Sequence, residues 1–459
     1  MLAKLDQLKN KRRFSKRSFP IFLNNQQSYI CSVDYTSCLE YLYSKLPMFS
    51  RTGPAAIKPS LDNTIALCDH LGLPHQTFKS IHVAGTNGKG SVSHMLASIF
   101  QEHGFKTGLY TSPHIKDFRE RIKINGQMVE KDFVVKFTNN IRDFIENKEP
   151  SFFEVTVGMA FQYFAENKID IAIIETGLGG RLDSTNVIDP VISVITNIGF
   201  DHMSILGNTL EAIASEKAGI IKNNKSVVIG KTNPLTAQVF IDKASTCGSK
   251  IIFADQAYQV DNISQENDLL RFDVKKNSFN RTIESRLNSL YQLENIRTVV
   301  ATIDELNLLG YQIREEEIHH GIAKTVANTG LRGRWEKIHD RPKTIIDVGH
   351  NPDGIREILR QLSLTPYKHL YIILGLSKDK DYPEILSMLP KDADYAFTQA
   401  NIPRALDATT LNIEAKKFEL KGRSFNNVND ALAEIRLKAK PDDLILICGS
   451  LFLIGELDF

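Results

Sequence analysis

Residues 81–91 run Ile81-His82-Val83-Ala84-Gly85-Thr86-Asn87-Gly88-Lys89-Gly90-Ser91, and their order decides the fold. The short run Ile81–Ala84 suits an interior strand of a parallel sheet, covered on both faces. After the glycine loop, Val92, Met95, Leu96, Ile99 and Phe100 recur with the i, i+3, i+4, i+7, i+8 spacing of one buried helix face, and Gly104 closes that helix. Strand, glycine loop and helix in this order make a phosphate-binding loop. The glycines let backbone N–H groups turn toward an anion, and the helix N-terminus adds the positive end of its dipole. Lys89 adds a point charge for the β- and γ-phosphates, and Ser91 a hydroxyl for phosphate or metal. The lysine sits between Gly88 and Gly90, so the spacing departs from the common Walker form. A glycine loop alone is more often a turn or a cap; lysine, serine and the strand–helix context together make this one a nucleotide site.

Outward from the loop, β-rich runs alternate with helical patterns from Lys79 to Ala323, which argues for a wound α/β sheet. Strands are expected at Ile81–Ala84, Ile169–Ile174, Val191–Ile195 and Ser226–Ile229, with hairpins at the domain edge over Asp255–Ile283. A second alternation places strands at Thr344–Ile346, Leu370–Leu374, Tyr395–Thr398 and Leu444–Cys448, after a polar hinge at Ala327–Gly333. Upstream, Cys38–Leu46 has helical spacing and Phe49–Pro59 reads as a loop. The expected fold class is therefore α/β: a P-loop-containing central ATPase domain over 34–329 and a smaller C-terminal Rossmann-like α/β domain over 330–459, preceded by a basic, disordered extension over 1–33.

A chain of 459 residues, 42% hydrophobic and 24% charged, is ordinary globular material, which excludes collagen-like and low-complexity classes. No apolar run approaches the roughly 20 residues a membrane span needs. The net charge of +2 is concentrated in residues 1–17, leaving the body net negative, so a nucleic-acid surface gets no support. The apolar patch Phe19–Leu23 is too short, and too broken by Pro20, for a signal peptide. Five widely spaced cysteines without a CxxC pair argue against zinc or redox chemistry and point to a reducing cytoplasm.

Glu175 ends the apolar run Ile169–Ile174, at a strand's C-terminal end beside the phosphate loop, where a nucleotide-bound Mg2+ is usually held. His202 follows the next strand on the same side and reads equally as a metal ligand or a polar loop residue. Thr209–Lys217 reads as a capped helix, and spacing alone makes Lys217 a solvated partner of a nearby glutamate.

Together these residues resemble the Mur ligase superfamily, and within it the folylpolyglutamate synthases, including the bifunctional dihydrofolate/folylpolyglutamate synthases of bacteria. The resemblance rests on 85–91, on Thr111-Ser112-Pro113-His114, on Glu175-Thr176-Gly177-Leu178-Gly179-Gly180-Arg181-Leu182-Asp183, and on Asp201-His202. It continues through Glu216-Lys217-Ala218-Gly219-Ile220, Gly333-Arg334 and Asp347-Val348-Gly349-His350-Asn351-Pro352. It implies that Thr86, Asn87, Gly88, Lys89, Gly90 and Ser91 wrap the ATP phosphates, and that Asn295, Arg334 and Asp347 contact the nucleotide. Ser112, Glu175, His202 and Lys217 are implied to serve two Mg2+ sites, Lys217 after carbamylation, with K+ left open as a further cation. Lys89, Lys217 and His202 are the implied catalytic residues. Ser151, Phe152, Phe153, Glu154, Leu182, Asp183 and Ser184 match stretches that contact the pteroate substrate; for Phe152 and Phe153, core packing is the competing reading. His350 and the run Ser377–Asp381 match the approach to the incoming glutamate. Val348 and Gly349 depart from the family's usual pattern while Asp347 and His350 are kept.

The implied reaction is ATP-dependent ligation of L-glutamate to dihydropteroate, to a reduced folate, or to both. The acceptor carboxylate takes the γ-phosphoryl group, and the glutamate amine then displaces phosphate. The implied partners are these small molecules alone, with no nucleic acid and no membrane, for a cytoplasmic monomer. A cell-wall ligase would want a separate UDP-binding domain, for which the stretch before Ile81 is too short. A nucleotide switch would need neither two metals nor a clamp spanning a hinge, and a degenerate non-catalytic homologue would not keep every charged motif position.

Overall fold

The computed structural model describes residues 34–458 apart from 49–50, 52, 54–57, 59 and 278. The basic extension and most of the expected 49–59 loop lie outside these described residues. Among the described residues no helix is long and apolar enough to cross a membrane.

The first α/β unit is built on β1 (Lys79–Ala84), β2 (Thr107–Tyr110), β3 (Ile122–Ile124), β4 (Gln127–Met128), β5 (Ile171–Glu175), β6 (Ile192–Ile195), β7 (Ser226–Ile229) and β8 (Ile251–Phe253). They form one sheet in the order β4-β3-β2-β5-β1-β6-β7-β8. Strands β2, β5, β1, β6, β7 and β8 run parallel; β3 and β4 turn back antiparallel at one edge. The chain winds from β1 out to β2 on one side, then crosses from β5 over β1 to β6 on the other. A reversal of this kind leaves a crevice beyond the C-terminal ends of the central strands. The phosphate loop, Glu175 and the segment after β6 all open there.

The expected strands exist with small shifts. Ile169 and Asp170 precede β5, and Glu175, expected just beyond the strand, is its last residue. The first helix runs Tyr35–Lys45, earlier than expected, because the Asp34 side chain caps it by accepting from Ser37 N. The helix Lys89–Glu102 is buried on almost every side, not on one face. Its polar residues are covered by later helices: Ser98 Oγ donates to Gly321 O of the helix Glu315–Ala323 at 2.6 Å, and His94 Nδ1 lies 2.7 Å from Thr329 Oγ1. A Cβ on Gly321 would come within 2.5 Å of Ile99 Cα, so glycine permits this close approach.

The expected hairpins are a separate three-stranded antiparallel sheet of β9 (Gln259–Glu266), β10 (Leu269–Lys276) and β11 (Phe279–Ser285). Leu270, Phe272, Val274 and Ile283 pack it into the same core as the helix Gln292–Leu308. The expected hinge is half helical: Thr325–Thr329 forms a short helix that ends at Gly330 in left-handed conformation.

The second unit is a sheet of β12 (Glu336–Asp340), β13 (Lys343–Ile346), β14 (Leu370–Leu374), β15 (Asp394–Phe397), β16 (Lys421–Ser424) and β17 (Leu444–Cys448). Its order is β12-β13-β17-β14-β15-β16, parallel except for β12. Strands β3, β4, β12 and β16 escape a reading for apolar runs because they are short or largely polar and exposed. The described cysteines Cys38, Cys68, Cys247 and Cys448 are buried and unpaired.

Candidate active site

At its two glycines, the loop Gly85–Gly88 turns so tightly against its neighbours that a side chain is excluded. A Cβ at Gly85 (φ +149°) would lie 1.9 Å from Thr196 Oγ1, and one at Gly88 (φ +87°) 2.3 Å from Asn295 Oδ1. Residues after β6 brace the loop: Asn87 N donates to Asn197 Oδ1 at 2.8 Å, and Thr196 Oγ1 donates to Asn87 O at 2.5 Å. Thr86 Oγ1 donates to Gly199 O at 3.1 Å and accepts from Gly199 N at 3.0 Å. Ser91 is buried and accepts from Gln292 Nε2 at 3.3 Å; Gln292 in turn accepts from Asn295 Nδ2.

Two lysines converge on this loop. Lys89 Nζ donates to Gly85 O at 3.0 Å and to Thr86 O at 3.2 Å, and Lys217 Nζ reaches the same Gly85 O at 3.0 Å. Lys217 is 3% exposed, which overturns its reading as a solvated helix lysine. Burial, reinforced by the Lys89 charge, pulls its ammonium down to about 7. Glycines deliver it. A Cβ at Gly180 would lie 2.8 Å from Glu216 O, and one at Gly219 2.4 Å from Arg181 Cα, so the loop after β5 and the end of the helix Leu210–Ala218 pack backbone to backbone.

Beside Gly90 of the same loop, Glu175 is 4% exposed, and burial raises its carboxyl to about 7 against the pull of Lys89, Arg334 and the backbone N–H of Ser112. Arg334 leans over the phosphate loop, its Nη2 3.1 Å from where a Gly90 Cβ would stand. No group of three or more His, Cys, Asp or Glu side chains gathers among the described residues. The donor set of Ser112 hydroxyl, Glu175 carboxylate and His202 imidazole nonetheless fits a Mg2+ that takes its remaining ligands from phosphate and water. His202 stands in left-handed conformation (φ +51°), and burial depresses its imidazole to about 3, a neutral ring.

Asp201, given no role by the sequence, is the junction between the two units. Burial would raise its carboxyl, but the hydrogen bond from His350 and the charge of Lys380 hold it well below the usual range. Lys380 Nζ pairs with Oδ1; His350 Nε2 lies 3.5 Å from Oδ2 and Asn351 Nδ2 donates to Oδ2 at 3.2 Å. Asn351 also exchanges paired amide hydrogen bonds with Asn87, both 3.1 Å, and caps the helix Pro352–Leu362. Asp201→Ala would strand Lys380, whose side chain is only 7% exposed. We expect it to cost about 3 kcal/mol of unfolding free energy, measured by urea titration, because an unpartnered buried cation is left behind.

The other expected contacts divide. Asp347 is occupied within the protein: Tyr291 Oη donates to it at 2.6 Å, and the N–H groups of Trp335 and Gly349 each at 2.8 Å. Ser151 and Glu154 form the capping box of the helix Phe152–Glu166. Phe152, 3% exposed, packs with Tyr43 and Phe118 beneath the Arg121 guanidinium, the core-packing alternative. Phe153 is half-buried and presses on Gly177, where a Cβ would be 2.5 Å from its ring. Asp183 accepts from Leu178 N at 2.8 Å and Thr185 N at 3.0 Å, shaping the glycine loop. All seven expected acceptor-contact residues still line one cavity of about 1870 Å³, together with the phosphate loop, Ser112, Glu175, His202, Lys217, Asn295, Arg334 and Asp347. A carboxylate substrate and a nucleotide could thus share one cleft whose far wall is the second unit.

The chain matches the Mur ligase middle domain over residues 83–303 and the Mur ligase glutamate ligase domain over 333–451. It is 32% identical to the dihydrofolate synthase/folylpolyglutamate synthase of Bacillus subtilis, covering 87% of this chain and 94% of that one. Identity to the folylpolyglutamate synthase of Lacticaseibacillus casei is 33%, over 92% and 97%. Among solved structures it resembles E. coli FolC in complex with DHPP and ADP, with 27% identity, 92% and 96% coverage and a TM-score of 0.80. It also resembles the Yersinia pestis bifunctional synthase complexed with AMPPNP and Mn ion, at 27% identity, 92% and 97% coverage and a TM-score of 0.79.

Proposed function

Because this chain belongs to the folylpolyglutamate/dihydrofolate synthase family of Mur ligases, we propose that it joins L-glutamate to dihydropteroate and to the γ-carboxyl of a reduced folyl-glutamate, at the expense of ATP. It is an ATP-dependent ligase of the α/β class. The observation that supports the chemistry is the meeting of Lys89 and Lys217 on one carbonyl, with buried Glu175 within electrostatic reach of Lys89. Two ammonium groups so placed call for an anion, which phosphates provide.

The acceptor carboxylate attacks the γ-phosphorus, forming a C–O–P bond and releasing ADP. The amine of glutamate then attacks the acyl carbon and phosphate leaves with the bond electrons. Phosphoryl transfer needs positioning and charge neutralisation more than a protein nucleophile. Lys89 stabilises the migrating charge, the loop N–H groups hold the phosphates, and Arg334 approaches from the second unit. Divalent metal held at Ser112, Glu175 and His202 would neutralise phosphate charge. Lys217, drawn down to about 7 by burial, keeps part of its amine uncharged at neutral pH, the form that carbamylation by CO2 requires; the product is an anion that removes the conflict with Lys89. Asn295 at the loop and Asp347 through Tyr291 belong to the nucleotide end, and Ser151–Glu154 with Leu182–Ser184 to the acceptor end. The chain acts as a monomer in the cytoplasm.

The test is ADP release with ATP, Mg2+ and L-glutamate, offering dihydropteroate or tetrahydrofolyl-monoglutamate, with products weighed by mass spectrometry. One glutamate gained by each acceptor is expected; release with one acceptor only would make the enzyme monofunctional, and release with neither would sink the proposal. The pH dependence has a fixed sign. The Glu175 carboxyl must lose its proton and Lys217 must be neutral, and both lie near 7, so kcat/KM should climb between about pH 6 and 8. A flat profile across that range would remove both groups from the reaction.

A further inference from the structure

His82 takes no part in the chemistry above and does not line the cavity, yet it is fully buried in the middle of β1. Its Nε2 lies 2.8 Å from Thr185 Oγ1, and that hydroxyl is 2.5 Å from Asp183 Oδ1. Thr185 is 0% exposed and, like His82, sits behind the cavity wall, whereas Asp183 is part of the wall. A threonine hydroxyl carries one proton. A carboxylate can only accept, so the proton points to Asp183 and the Thr185 oxygen accepts from His82 Nε2–H. Burial keeps the imidazole neutral, and Nδ1 finds no partner among the described residues, so the single ring proton belongs on Nε2, where Thr185 accepts it.

The three residues form a chain from the centre of the sheet to the cavity. Its outer end is braced twice more, by Leu178 N on Oδ2 and Thr185 N on Oδ1. A central strand is among the most rigid anchors a fold offers, so a side chain held from it inherits that rigidity.

We propose that His82 is a positioning residue for the acceptor: through the Thr185 hydroxyl it fixes the orientation of Asp183 at the cavity wall. The proposal rests on the assignment of Asp183 to the acceptor end of the site. His82 contacts neither nucleotide nor reacting atoms, so its loss should appear as acceptor recognition, not as ATP use.

The experiment compares His82→Leu, His82→Gln, Thr185→Val, Thr185→Ser and Asp183→Asn in the full chain, reading KM for 7,8-dihydropteroate, KM for ATP, kcat and thermal midpoint. Glutamine can offer an N–H near the position of Nε2, and serine keeps the hydroxyl. We expect His82→Leu and Thr185→Val each to raise the dihydropteroate KM about tenfold, the scale of one buried hydrogen bond. The ATP KM should stay within about twofold, and the Gln and Ser variants should recover most of the loss. The double variant His82→Leu/Thr185→Val should be no worse than Thr185→Val alone, since both cut one chain. An unchanged dihydropteroate KM in Thr185→Val overturns the proposal, as does an equal rise in both KM values. Thr185→Val is nearly isosteric and decides the matter if His82→Leu does not fold. Asp183→Asn separates the two ideas. If it leaves the dihydropteroate KM unmoved, the acceptor assignment fails; if it raises KM while Thr185→Val does not, only the relay fails.

Discussion

Lys217→Ala is expected to lower glutamate-dependent ADP release by about three orders of magnitude, which corresponds to about 4 kcal/mol of lost transition-state stabilisation. The side chain is 3% exposed, shares Gly85 O with Lys89 and is held near 7, so nothing nearby can take over its position beside the phosphates. Added acetate or propionate should restore part of the activity if the working form is a carbamate, because a small carboxylate can enter the space that alanine leaves. Full activity in a folded Lys217→Ala protein at neutral pH would eliminate the carbamate role. The same residue should trade stability for function. Its folded value, about 7, lies below the ordinary 10.5, so charging it costs folding energy. That penalty is absent above pH 10.5, grows as pH falls toward 7 and is complete below it. Volume-conserving Lys217→Met should therefore be more stable than the parent at pH 6 by roughly 3 kcal/mol, and equal to it near pH 11. Urea unfolding at the two pH values reads this directly.

Lys89→Met is expected to be at least as damaging, lowering kcat/KM for ATP by about 10³- to 10⁴-fold while leaving the fold intact. Among the described residues its ammonium hydrogen-bonds to Gly85 O and Thr86 O, contacts that water can replace, so the loss falls on phosphate charge and not on packing. Lys89→Arg should fail nearly as badly. A planar guanidinium is bulkier and presents its donors in a fork, and it would have to fit a loop where Cβ atoms already have no room at Gly85 and Gly88. Isothermal titration with ADP and initial-rate measurements check both. Activity within about tenfold of wild type in Lys89→Met would place the γ-phosphate charge elsewhere.

The sheet strands and the phosphate loop were legible because they depend on near neighbours in sequence. Ile81–Ala84, Val191–Ile195 and Ser226–Ile229 are short β-rich runs bounded by polar turns, and the observed strands differ from the expected ones by at most two residues. The same local logic failed for the helix Lys89–Glu102, whose polar face meets a helix more than two hundred residues later. It could not see that Phe152 packs against Tyr43 and Phe118, or that Glu154 closes a capping box, while both also line the cavity.

By itself, then, the sequence determined two wound α/β units, a nucleotide loop on the first, and through its ordered motifs the family. These follow from hydrophobic period, glycine punctuation and residue chemistry, all of which act over a few residues. Only the tertiary structure decided that Lys217 is buried, because that depends on Gly180 and Gly219 letting two distant backbones touch. Only it joined Asp201 to Lys380, His350 and Asn351, and His82 to Thr185 and Asp183. Desolvation and hydrogen bonding depend on which groups meet in space, and partners more than a hundred residues apart meet only when the whole chain has folded.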